Sequence, residues 1–190
     1  MPEKELRNMS PQTRLCIGVF IPYGAQFLDV SPVDIIAMLD PTYLKACKLP
    51  TPLVALGVPS TIYYIGLASN TSKHVDLTAN AKLSITHTMN DEVVQPGQLD
   101  ILLIPGPDPS VEIGNDVKGF IKGHAACEHT DILTICTGCY LLAESGSYKG
   151  REASAPRALV GELSKKFPNV RWDDSRRWVQ DGNLWSSGKS

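Results

Sequence analysis

At 190 residues the chain is long enough for one well-packed domain and short for two. Its 43% hydrophobic and 20% charged residues are ordinary for a globular protein. A formal net charge of -2 gives no electrostatic case for nucleic acid or an anionic membrane.

Residues 1–13 are polar and charged, lack the apolar core of a signal peptide, and read as a flexible leader. Residues 14–190 read as one domain. Residues 14–21 are apolar almost throughout, which suits a parallel strand covered on both faces. A break at Pro22-Tyr-Gly follows. Ser31-Pro32 is a good N-cap and first-turn pair for a helix running to Leu39, with Val33, Ile36, Ala37 and Asp40 at helical spacing. Asp29 then lies in the loop between the first strand and that helix. Pro41 and Pro50-Thr-Pro52 mark loops, and residues 53–58 and 61–65 are strand-like with Pro59-Ser60 between them. Residues 76–88 hold one or two short strands, and 91–98 a brief turn or helix. Residues 99–105 form a buried strand ending in Pro105-Gly106-Pro107.

The apolar stripe Val117, Phe120, Ile121 and Ala125 predicts a helix over 115–128. His124 and His129 fall near its C-terminal end, where a cation is favourable. A strand over 132–135 comes next, then a sharp turn at Cys136-Thr137-Gly138 and an apolar segment of helical type. Beyond it lie a turn and short strand over 148–153 and a helix over 156–167 with Leu159, Val160 and Leu163 inward. Strands over 169–172 and 177–180 follow, and Asp181-Gly182-Asn183 turns the chain into a return strand over 184–186. Strands alternate with helices, so the expected fold is α/β, a three-layer flavodoxin-like sandwich with a largely parallel sheet. No apolar run approaches the roughly 18 residues that span a bilayer.

Sites in such sheets form beyond the carboxyl ends of the strands. Asp29, Pro105-Gly106-Pro107 and Cys136 all fall at such ends. A thiol at a strand-to-helix turn sits near a helix N-terminus, where N–H groups and the helix dipole stabilise a thiolate. Such a turn also lifts the side chain out of the sheet edge, the geometry of a nucleophile elbow. Cys136 is therefore the candidate nucleophile, against the plain alternative that it is a small buried hydrophobe. The five cysteines, Cys16, Cys47, Cys127, Cys136 and Cys139, are scattered, unlike a disulfide framework. Neither they nor His74, His87, His124 and His129 have metal-ligand spacing, so neither a metal nor a cofactor is expected. A cytoplasmic protein with reduced thiols is the simplest reading. Tyr23 and Tyr140 could line a pocket mouth, while Trp172, Trp178 and Trp185 read as packing.

The stretches Phe27-Leu-Asp29-Val-Ser-Pro-Val-Asp34, Asp100-Ile-Leu-Leu-Ile-Pro-Gly106, Ile135-Cys-Thr-Gly-Cys-Tyr-Leu-Leu-Ala-Glu-Ser-Gly146, Tyr148-Lys-Gly-Arg-Glu-Ala153 and Arg177-Trp-Val-Gln-Asp-Gly-Asn-Leu-Trp-Ser-Ser-Gly188 occur in this order. Together they resemble the ThiJ/PfpI superfamily, relatives of the class I glutamine amidotransferases. The Asp29 stretch is similar to the isonitrile hydratase branch, and Pro-Gly-Pro is similar to fungal paralogues. The resemblance implies an elbow nucleophile at Cys136 with the Asp29 carboxyl beside it as proton donor. It also implies backbone N–H groups near Gly106, Thr137 and Gly138 that stabilise developing charge. The substrate would be a small molecule. An isonitrile would be attacked at its terminal carbon and released as an N-substituted formamide.

The chain departs from the pattern in three places. Pro156 stands where many relatives carry a histidine that assists the thiol. Pro107 replaces a glycine, and proline has no N–H to donate. Relatives continue past Gly188 with a helix over one sheet face, so either a homodimer or other partner covers that face or the 190 residues are a shortened form. Three other readings stay open: a redox pair Cys136-Thr-Gly-Cys139, a non-catalytic or sensing domain within a heteromer, and glyoxalase or deglycase-like chemistry.

Overall fold

The computed structural model describes residues 14–69 and 73–188. The leader read over 1–13 lies outside the described residues. The order of strands in the main sheet follows from which apolar runs are buried on both faces. β1 (Leu15–Phe20) sends Ile17 and Val19 to one side and Phe20 to the other. β6 (Ile101–Ile104) does the same, with Leu103 on the first side and Leu102 and Ile104 on the second. Burial on both faces explains why these strands read as continuous apolar runs rather than alternating ones.

These two strands pair in parallel at the centre. β2 (Ser60–Gly66) and then β5 (His87–Thr88) extend the sheet beyond β1, both parallel. On the other side β7 (Asp131–Ile135) pairs parallel with β6 and β11 (Leu184–Ser187) parallel with β7. β10 (Trp178–Asp181) closes the edge antiparallel to β11 through the Asp181-Gly182-Asn183 turn. The seven-stranded order is β10-β11-β7-β6-β1-β2-β5. The architecture is therefore the expected α/β fold with a mostly parallel central sheet. Short pairs β3 (His74–Asp76) with β4 (Lys82–Ser84), and β8 (Glu152–Ser154) with β9 (Arg171–Asp173), lie outside it.

One face of the sheet is covered by α5 (Asn115–Ala125), α6 (Gly138–Ser145) and α7 (Arg157–Lys166). Val117, Phe120 and Ile121, then Leu141 and Leu142, then Leu163, pack with Phe20, Leu102, Ile104 and Ile132. The other face is covered by α1 (Phe27–Val30), α2 (Pro32–Ala37) and the β3–β4 hairpin. They contribute Val30, Val33, Val75 and Leu77 against Ile17, Val19 and Leu103.

Several local expectations change. Residues 53–58 are not a strand: α4 (Thr51–Val54) starts on Pro50-Thr-Pro52, and Leu53 and Leu56 are 49% and 43% exposed. Apolar character alone suggested a strand there, but proline in the first turn favours a helix and no sheet neighbour is available. The prolines also hid α3 (Pro41–Ala46), whose N-cap Asp40 accepts a 2.8 Å bond from the Thr42 amide. The helix expected from Ser31 to Leu39 is α2, which ends at Ala37, and a separate short helix, α1, precedes it, with Asp29 inside α1 rather than in a loop. Ser31 itself has helical dihedrals and donates its hydroxyl to the Leu28 carbonyl, so it does not cap by side chain. His124 is not a cation at a helix end. It is fully buried, edge-on to Phe120, and burial pushes it down to about 4.

Candidate active site

β7, β6 and β1 are adjacent and parallel, so their carboxyl ends share one edge of the sheet. That edge collects the residues singled out in the sequence. Cys136 follows β7 with φ of +54°, in the left-handed region that a side chain with a Cβ seldom occupies. Its amide donates to the Ser187 carbonyl at 2.9 Å, extending the Ile135–Ser187 pairing one step. The ladder thus holds the strained residue from one side. On the other side α6 begins at Gly138, where a Cβ would overlap the Ile104 carbonyl oxygen. Only glycine lets the helix start this close to β6, so Gly138 is required by packing.

Asp29 is 2% exposed on α1. Two contacts bring α1 and the elbow onto the loop after β6. The Gln26 amide, just before α1, donates to the Gly106 carbonyl at 3.0 Å. The Thr137 hydroxyl donates to the Pro107 carbonyl at 2.7 Å, in place of capping its own helix. Gly106 lies between them. A Cβ on it would overlap Thr137 Oγ1, lie 2.8 Å from Asp29 Oδ2 and 2.9 Å from the Thr137 amide nitrogen. The structure therefore brings Asp29, Gly106 and Thr137 into contact, one residue along from Cys136, with Gly138 adjoining. Pro107 supplies a carbonyl to this corner but has no N–H to offer.

The histidine position is also visible. Gly188, directly after Ser187, packs so closely on Ala155 that a Cβ would overlap the Ala155 carbonyl and lie 2.9 Å from the Pro156 nitrogen. Ala155 and Pro156 therefore border the strand that holds Cys136, with no imidazole there. His74 is on β3, His87 on β5, His124 against the Val94 carbonyl and His129 beside that of Gly97. Cys139 is 1% exposed in the core, and burial, then the neighbouring Cys136, pushes its thiol well up. A thiol that resists ionisation is a poor exchange partner, so this placement does not favour a redox pair.

Tyr23 lines an open groove of about 470 Å³ that reaches Gly106 and Pro107. Tyr140 does not sit at a pocket mouth. It is 3% exposed, with its hydroxyl toward Glu162, and burial pushes it up to about 12. Trp172 packs against the core, whereas Trp178 is exposed and stacks on Trp185. Ser187 and Gln26 escaped the sequence reading as site residues. Both act through backbone atoms, which leave no side-chain signal. Among the described residues no group of three His, Cys, Asp or Glu side chains could hold a metal ion. No described helix is long and apolar enough to cross a membrane.

No curated protein sequence matches this chain. Solved structures with the same fold include Schizosaccharomyces pombe DJ-1, at 17% identity and a TM-score of 0.66 over 92% of this chain and 84% of that one. Drosophila melanogaster DJ-1beta is similar at 16% identity and a TM-score of 0.69, over 93% and 83%. An AraC family transcriptional regulator from Pseudomonas putida is similar at 15% identity and 0.63, over 93% and 83%. A sequence model of the DJ-1/PfpI family matches residues 51–190, a stretch that contains Gly106 and the Cys136 elbow and begins after Asp29. Nearly three quarters of the sequence thus carries the family pattern, on a sheet that places its cysteine at the strand-to-helix turn, and the chain belongs to the DJ-1/PfpI family.

Proposed function

We propose that the chain is a cysteine-dependent enzyme that hydrates a small isonitrile, with Cys136 as nucleophile and Asp29 as proton donor. The observation that carries this is the buried Asp29 carboxyl against Gly106 and Thr137, beside an elbow where Pro107 removes one N–H. Carbonyl chemistry places charge on oxygen and calls for paired N–H donors. An isonitrile places developing charge on carbon, where one carboxylic acid can discharge it. In this reading the Cys136 thiolate bonds to the terminal carbon and the Asp29 proton goes to that same carbon. The resulting thioimidate takes up water, its nitrogen is protonated, and the carbon–sulfur bond breaks. The product is an N-substituted formamide, and the water supplies the proton that restores Asp29. The same arrangement suits α-oxoaldehydes less well, since it lacks the histidine and one N–H.

The test incubates the protein with an aliphatic isonitrile and follows formamide by proton NMR, beside Cys136→Ser and Asp29→Ala. Turnover by the wild type and loss in both variants supports the reading. Absence of formamide, with Cys136 still reactive to a soft alkylating reagent, overturns it.

A non-catalytic sensing domain is the second reading, and the likeness of fold to a transcriptional regulator favours it. Association with a second copy belongs to either reading. It is supported by the exposed apolar side chains Phe27, Leu28, Ile35 and Leu39 on and beside α1 and α2.

A further inference from the structure

The groove beside Gly106 is built from segments that are already tied together. The Thr78 amide donates to the Ala25 carbonyl at 3.1 Å, and the Phe27 amide to Thr78 Oγ1 at 2.9 Å. The Tyr23 hydroxyl accepts the Gly114 amide at 2.8 Å, which fixes that ring as a wall. A hollow of about 470 Å³ is therefore preformed rather than opened by the ligand. Its size falls within the roughly 300–1,000 Å³ of small-molecule sites.

The lining has a definite chemistry. Tyr23, Ala25, Leu77, Pro107 and Pro109 are apolar or present an apolar body. Among the described residues the charged ones along it are Asp76 and Asp108, and no Lys, Arg or His lines it. Ser110 donates to Asp108 from both its amide and its hydroxyl, at 2.8 and 2.7 Å, which holds that carboxyl below the usual range and ionised. Lys82 approaches Asp76 at 3.6 Å, but both side chains are largely exposed, so the pair offsets little of the charge. Gly106 belongs to both places: it lines the groove and has Asp29 and Thr137 against its Cβ position.

We propose that this groove seats the substituent of the substrate, and that Asp76 and Asp108 select an apolar tail that is neutral or cationic over one ending in a carboxylate. The proposal rests on the reading of Cys136 and Asp29 as an enzyme site. An isonitrile held with its terminal carbon at Cys136 extends its tail past Gly106 along Tyr23, Leu77 and Pro107. A terminal ammonium there meets two carboxylates beside the Tyr23 ring. A terminal carboxylate meets like charge.

The experiment uses three isonitriles with one alkyl chain, ending in methyl, ammonium or carboxylate. The wild type is expected to favour ammonium over carboxylate by about tenfold or more in kcat/KM at low salt, with the gap shrinking at high salt. Asp108→Lys and Asp76→Lys, both at exposed positions, are expected to narrow or invert the ratio. Equal turnover of the three tails, within about twofold, with no change in either variant, overturns the groove proposal while leaving the hydratase reading standing. If none of the three is turned over, the hydratase reading fails by itself. The formamides with the same tails then decide the groove by NMR titration. Shifts at the Ala25, Leu77 and Thr78 amides that are larger for ammonium than for carboxylate support it, and equal or absent shifts overturn it.

Discussion

The Asp29 carboxyl occupies the space that a side chain at residue 106 would need: a Cβ on Gly106 would lie 2.8 Å from Asp29 Oδ2. Gly106→Ala is therefore expected to push Asp29 and Thr137 off the elbow. Overpacking of this kind destabilises by roughly 1–3 kcal/mol. If the hydratase proposal holds, formamide production is expected to fall by at least about tenfold, as misplacement near the reacting atoms commonly causes. Urea unfolding and the NMR assay check the two effects separately. Full stability with full activity would show that the corner gives way easily.

On the hydratase reading, the backbone of Cys136 sets function against stability. At φ of +54° a side chain with a Cβ is strained by roughly 1–2 kcal/mol relative to glycine. Cys136→Gly is expected to lose all turnover yet unfold at the same urea concentration as the wild type or higher. The glycine's extra freedom in the unfolded chain offsets part of the relief. A clear drop in stability would mean that the thiol's packing outweighs the strain.

The Thr137 hydroxyl is tied to the loop after β6 by its 2.7 Å bond to the Pro107 carbonyl. Thr137→Val keeps the shape and removes the donor. It is expected to destabilise by about 1–2 kcal/mol and to slow alkylation of Cys136, while Thr137→Ser retains both properties. Chemical denaturation and the rate of thiol labelling across pH provide the readouts. Identical behaviour of the valine and serine variants would remove the bond from the account.

His124 makes the fold acid-sensitive. It is fully buried, its Nε2 meets the Val94 carbonyl at 3.1 Å, and its Nδ1 has no hydrogen-bond partner among the described residues. Burial pushes it down to about 4 from an ordinary value of 6.5. Above 6.5 both folded and unfolded chains carry the neutral ring, and stability is unaffected. As pH falls below 6.5 the unfolded chain takes up a proton that the folded chain refuses, so stability is lost until about pH 4. The loss is of order 3 kcal/mol at most. His124→Gln is expected to flatten that slope in urea titrations at pH 7, 5.5 and 4.5. An unchanged slope would assign the acid sensitivity to other groups.

Glu144 joins three helices, with Lys118 of α5 at 3.1 Å and Lys166 of α7 at 2.8 Å. The lysines hold its carboxyl below the ordinary range, Lys166 foremost. The side chain is about a quarter exposed, so Glu144→Gln is expected to cost only about 1 kcal/mol, and less in high salt. Thermal melts at low and high ionic strength check this. A loss that does not depend on salt would point to packing instead of charge.

Much of the sheet was legible because strands buried on both faces must be apolar throughout, as Leu15–Phe20 and Ile101–Ile104 are. The elbow was legible for a similar local reason: an apolar strand, a small turn and an apolar helix leave little choice of path. α4 was misread because a short apolar run is compatible with strand or helix until its neighbours are known. His124 was misread because its position in the chain suggests a helix end, while its surroundings come from Val94 and Phe120.

The alternation of strands and helices and the place of the thiol at Cys136 are local properties, each set by residues close together in the chain. The meeting of Asp29 with Gly106 and Thr137, and of Ser187 with the Cys136 amide, is set by the fold as a whole. Those contacts follow from strand order and register, which bring distant segments to one sheet edge. No local pattern encodes them, because the partners lie far apart in the chain.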